Sequence, residues 1–76
     1  MTFEKVKEII VDTINCNADD VVLEASLNDD LGIDSLDAVE LNMALEEAFD
    51  LTISDEDLAA FVKVSDIVNY IDSKIA

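Results

Sequence analysis

The chain has 76 residues, 19 of them acidic and 4 basic, and a formal net charge of −15 with no histidine. That length holds one small domain, expected over residues 1–76, and the charge repels nucleic-acid phosphates and anionic membrane surfaces, so an electrostatic partner must be basic. Without histidine the Ser-His-Asp and Cys-His arrangements and the histidine-containing zinc sites are ruled out, which argues against an enzyme. Hydrophobic residues at 51% supply a core, while a single glycine and no proline favour helices over a turn-rich β fold.

The start, Met1-Thr2-Phe3-Glu4-Lys5, lacks the regions of a signal peptide, and no stretch approaches the ~18 uncharged apolar residues of a membrane span. A mature, soluble, cytoplasmic chain, monomeric and away from membranes, is the expectation. Phe3, Val6, Ile10 and Ile14 recur at helical spacing with Thr2 as a candidate N-cap, predicting an amphipathic helix over residues 3–15. Cys16 has no partner for an internal disulfide and reads as a small, partly buried apolar residue, which fits the cytoplasm. From Asn15 to Asp34 neither helical nor strand periodicity persists. This is a long loop, pinned to the core by Val21, Val22, Leu23, Leu27 and Leu31, and loops of that length in small domains are usually functional.

Helical pattern resumes at Ser35 and runs to Asp50 through Leu, Ala, Glu and Met, all good helix formers. Ser54-Asp55-Glu56-Asp57 is a capping sequence for a short helix through Ala60. Ser65 and Asp66 open a last helix whose apolar stripe is Ile67, Val68, Ile71 and Ile75. The fold class is therefore all-α: a small four-helix bundle with three longer helices, a short third helix and a long loop between helices one and two.

The second helix has two apolar faces. At ~100° per residue, Ala38, Leu41, Leu45, Ala48 and Phe49 share one arc, the core face. Leu36, Val39 and Met43 fall opposite, interleaved with Glu40, Glu46, Glu47 and Asp50. Scattered surface hydrophobes are common. A docking surface explains the set better: apolar contact area ringed by carboxylates that steer a basic partner, with the flexible Met43 thioether able to repack.

Gly32-Ile33-Asp34-Ser35-Leu36 sets the only glycine just before a helix start, where the backbone can turn and a hydroxyl would be exposed. By residue type alone, Asp34 or Ser35 is an N-cap. A phosphodiester on Ser35 would nonetheless sit at the positive end of the helix dipole, beside unpaired N–H groups. The run Asp30-Leu31-Gly32-Ile33-Asp34-Ser35-Leu36-Asp37-Ala38-Val39-Glu40-Leu41 resembles the phosphopantetheine attachment motif of acyl carrier proteins. The likeness continues through Met43 to Glu47, Phe49-Asp50, Ile53, Asp55-Glu56 and Val64 to Ile71, so it covers essentially the whole chain.

The resemblance implies that Ser35, flanked by Asp34 and Leu36, takes 4′-phosphopantetheine from coenzyme A through a phosphopantetheinyl transferase, and that acyl groups ride on its thiol as thioesters. It places Asp37, Val39, Glu40, Met43, Ala44 and Glu47, with Glu46 on the same acidic helix, where the family meets its enzymes. For a carrier of growing fatty acyl chains these are the synthases, reductases, dehydratases and acyltransferases, through basic docking patches. Alternatives are a carrier for polyketide, peptidyl or D-alanyl transfer, and a binding module with Ser35 unmodified. The acidic Asp37-Ala38-Val39-Glu40 run and the freestanding length favour the fatty-acid type. Leu27 stands where many members have Phe, and Asn42 where an aliphatic residue is frequent.

An apolar cargo needs shelter, and a bundle closed by a short helix can open there; Leu45, Phe49, Ile53, Leu58 and Phe61 are the expected lining. A calcium loop through Asn28-Asp29-Asp30 is rejected by counting, because Gly32 at its sixth position would place Leu27, Leu31 and Ala38 at ligand positions. Glycosidase-like chemistry from paired carboxylates lacks an evident deep cleft in so short a chain.

Overall fold

A computed structural model describes residues 2–75; Met1 and Ala76, the ends of the expected domain, lie outside them. Four helices follow in order: α1 (Thr2–Ile14), α2 (Ser35–Phe49), α3 (Asp55–Ala60) and α4 (Val64–Ile75). The all-α bundle with a short third helix is the fold the periodicity predicts. Val6 and Ile10, one turn apart on α1, are fully buried against Leu41 and Leu45 of α2 and Ile67 and Ile71 of α4. Each such side chain stabilises the fold by about 1.5–3 kcal/mol, so truncating a central one such as Leu45 removes a large part of a small domain's margin.

The helix ends differ from expectation by a residue, and each difference has a cause. α1 stops at Ile14 because Asn15 adopts the left-handed conformation, φ 65°, and its amide donates to the Val11 carbonyl at 2.9 Å. Thr2 lies inside α1, and its hydroxyl donates to the Asp72 carboxylate on α4, tying the two outer helices together. α2 stops at Phe49 with Asp50 left-handed at φ 54°, and the amides of Asp50 and Leu51 both donate to the Glu46 carbonyl. α4 starts at Val64. The carboxylate of Asp66, in its first turn, reaches back to accept from the amides of Val62 and Lys63 at 2.9 and 3.0 Å, as the acid of a capping box does. Those bonds hold the Asp66 carboxyl below the usual carboxylate range.

Two expected core positions are corrected. Ala48 is exposed, because α2 ends a residue later and leaves it at the open end; Ile75, in the last turn of α4, is half exposed. The long loop does pin itself to the core, through Val21, Ala25, Leu31 and Ile33, whereas Val22 and Leu23 face outward. Asn17 caps a 3₁₀ turn at Ala18–Asp20 within it, accepting from the Asp19 amide at 3.0 Å. Further on, the loop pairs with the α3–α4 connection: Leu27 donates to the Val62 carbonyl at 2.9 Å, Val64 to Ala25 at 3.1 Å and Ser65 to Leu23 at 3.0 Å. This pairing fixes the loop's approach to α2.

Candidate functional site

A tight turn delivers the chain to α2. The Ser26 amide donates to the Asp30 carboxylate at 2.7 Å, the Asp29 amide to the Ser26 hydroxyl at 3.2 Å, and the Ile33 amide to the Leu27 carbonyl at 2.9 Å. Gly32 closes the turn at φ 65°, where a side chain is strained even though the space is empty. Ile33 is thereby buried and Asp34 and Ser35 emerge into solvent.

Asp34 is the N-cap of α2: its backbone is extended and its Oδ1 accepts from the Asp37 amide at 2.9 Å. The first helical bond runs from the Ala38 amide to the Asp34 carbonyl at 2.8 Å, so the amides of Ser35 and Leu36 precede the intrahelical ladder. Both residues are exposed. The Ser35 hydroxyl thus stands where a helix favours an anion, a preference of about 0.3–1 kcal/mol at exposed sites. The neighbouring Asp34 carboxylate is engaged by the cap, and among the described residues no hydrogen bond joins the Ser35 hydroxyl to a base that would activate it as a nucleophile.

Beside Ser35 opens a cavity of about 310 Å³, within the ~300–1,000 Å³ range of small-molecule sites. Ser26, Asn28, Asp34 and Ser35 form its polar rim; Ile33, Ala38, Leu41, Leu45 and Ile67 its apolar interior; Leu58, Phe61 and Val62 its far wall. Among the expected lining residues, Leu45, Leu58 and Phe61 stand on this wall. Phe49 and Ile53 do not: Phe49 lies a turn further along α2, with the Lys5 ammonium 5.3 Å from its ring centre, and Ile53 is buried in the core. The sequence reading missed Ile33 and Ile67, buried loop and helix positions, and Leu27, a half-buried loop residue that reaches the cavity.

On the opposite side of α2, Leu36, Val39 and Met43 are exposed by 76%, 52% and 60%, an apolar strip on a helix where a solvated face needs none. Glu40 and Glu47 beside them are exposed, and Asp37 and Ala44 are half-buried. Glu46 is turned inward: its Oε2 accepts from the Ile53 amide at 2.7 Å, bracing the connection to α3.

Residues 4–71 match the family model described as a phosphopantetheine attachment site. An acyl carrier protein of Clostridium acetobutylicum is 54% identical over 71 residues, covering 93% of this chain and 92% of its own. One from Campylobacter jejuni is 49% identical over 72 residues, covering 95% and 94%. One from Clostridium perfringens is 52% identical over 69 residues, covering 91% of each. The chain belongs to the acyl carrier protein family.

The prosthetic group of this family is phosphopantetheine, and the residues present fit it. An exposed hydroxyl at a helix start, two free amides beside it and an adjoining apolar cavity give the phosphate, the arm and an apolar cargo each a complementary surface. Once attached, the group supplies a terminal thiol that carries acyl groups as thioesters. No described helix is long and apolar enough to cross a membrane.

Proposed function

We propose that Ser35 is the attachment residue and that the chain carries growing fatty acyl groups, as a monomer in the cytoplasm, between the enzymes that extend and reduce them. The observation that carries this reading is the position of the Ser35 hydroxyl: exposed at the start of α2 and on the rim of an apolar cavity. Asp34 fixes the helix start and Leu36 flanks it. The cavity walls of Ile33, Leu41, Leu45, Leu58 and Ile67 exclude water from the chain's apolar end, while the thioester stays near the rim.

The strip of Leu36, Val39 and Met43, with Asp37, Glu40, Ala44 and Glu47 around it, is the docking face for the phosphopantetheinyl transferase and for successive enzymes with basic patches. A carrier must leave each enzyme to reach the next. Carboxylate steering gives fast arrival, and a small apolar contact permits fast release. Glu46 contributes through the helix it braces.

The test is intact mass after incubation with coenzyme A and a phosphopantetheinyl transferase. The wild-type chain gains the pantetheine phosphate mass, and Ser35→Ala, which retains its helical circular dichroism, gains none. A Ser35→Ala chain that is still modified overturns the assignment.

A further inference from the structure

We propose that Tyr70 is a positioning residue: by donating its hydroxyl to Asp57 it pins α3 across the cavity beside Ser35, so that this bond sets how readily the lid opens. The proposal rests on the reading of that cavity as the cargo site.

α3 needs such a pin. It has six residues, none of them fully buried, and isolated helices shorter than ~12–15 residues are marginal in water. Its Ser54 cap, accepting from the Asp57 amide at 3.2 Å, holds only its first turn. Tyr70, by contrast, sits on α4 between the buried Ile67 and Ile71, so its backbone is fixed by the core. Its hydroxyl lies 2.9 Å from Asp57 Oδ2 and 3.5 Å from the Thr52 carbonyl; with one proton to give, the shorter bond takes it. At the other end of α3, Phe61 packs edge-on against the Tyr70 ring, with centroids 5.4 Å apart and planes at 69°. One side chain therefore holds α3 at both ends, and Leu58 between them faces the cavity.

The charges around the hydroxyl make this bond depend on the phenol proton. Asp57 faces it from α3 and Glu46 acts on it from α2, while the Lys74 ammonium on α4 stands 5.4 Å from the ring centre. Loss of hydration, and then the Asp57 bond, raises the Tyr70 pKa above the ordinary tyrosine value. The pin is intact at neutral pH, and a phenolate facing two carboxylates would push α3 away.

Amide hydrogen exchange on the unloaded full chain at neutral pH tests the pin. Tyr70→Phe keeps the ring contact and loses the bond. It should speed exchange of the Leu58 and Phe61 amides about three- to tenfold while the amides of Ile10, Leu45 and Ile71 stay as in wild type. Asp57→Ala should do the same, and the double variant should match either single one. The chain has one tyrosine, so its ultraviolet titration reads Tyr70 alone, and Asp57→Ala should move that transition to lower pH. Unchanged α3 exchange in Tyr70→Phe, equal acceleration throughout the chain, or an unmoved titration overturns the proposal. Chemical shifts on loading an octanoyl thioester judge the other reading separately. Silence at Leu45 and Ile67 in wild type would reject the cavity as cargo site, whereas the exchange result decides the pin.

Discussion

Asn42 carries a side-chain oxygen, Oδ1, that is buried without a hydrogen-bond partner among the described residues. An unsatisfied buried acceptor costs about 1–3 kcal/mol, so Asn42→Leu should raise stability by roughly 1 kcal/mol despite the change of shape. Urea unfolding checks this: the midpoint should rise with the slope unchanged, and a lower midpoint would mean that the amide has a partner. Asn42 does not line the cavity, so this departure from the family's usual aliphatic residue bears on stability. The other departure does touch the cavity: Leu27, where many members have Phe, stands on its wall. Ser35 could be singled out as a candidate site because the residues around it are contiguous. The inward turn of Glu46 was not, because the Ile53 amide it accepts from lies beyond a helix end whose geometry no pattern specifies.

At the scale of elements, α1, α2 and α4 were legible because good helix formers, periodic apolar residues and capping signals agree there. The pairing of the long loop with residues 62–65 was not, because it joins segments far apart in sequence through backbone groups that any residue supplies. The cavity lining did not follow that division: Leu45 was placed by the wheel, but Phe49 on the same arc lies a turn away from the cavity, Ile67 of α4 lines it unexpectedly, and Ile33 depends on the turn at Gly32. Gly32→Ala should therefore destabilise the chain by about 1 kcal/mol through backbone strain alone, with Gly32→Asn milder, as urea midpoints would show. The start of α4 is pH-sensitive through Asp66. Its carboxyl is held below the usual range, so its contribution is complete above about pH 4 and is lost as pH falls through the lowered value. Stabilities of wild type and Asp66→Asn should differ at pH 7 and converge in strong acid. A gap that does not change with pH would mean that the charge plays no part in the cap.

For the whole molecule, the charge of −15 is confined to a body of 27 × 25 × 19 Å. At ~10 mM salt the screening length, ~30 Å, exceeds every dimension, whereas at 0.15 M it is ~8 Å, so salt should relieve self-repulsion and raise the melting temperature by several degrees. An unchanged melting temperature would remove the argument. The same field steers encounters. Glu40→Lys, on the proposed face, should slow association with a phosphopantetheinyl transferase more than Asp12→Lys on α1, which makes the same change in net charge. Equal slowing would show that partners sense only total charge. Asp72 is unsuitable as a control because it accepts from Thr2. The central claim, that Ser35 is where this carrier is loaded, is tested most directly by fragmentation mass spectrometry of the chain after reaction with coenzyme A and the transferase. The prediction is one phosphopantetheine, on the fragment ion that contains Ser35. An adduct on Ser26, Ser54, Ser65 or Ser73, or no adduct at all, would contradict it.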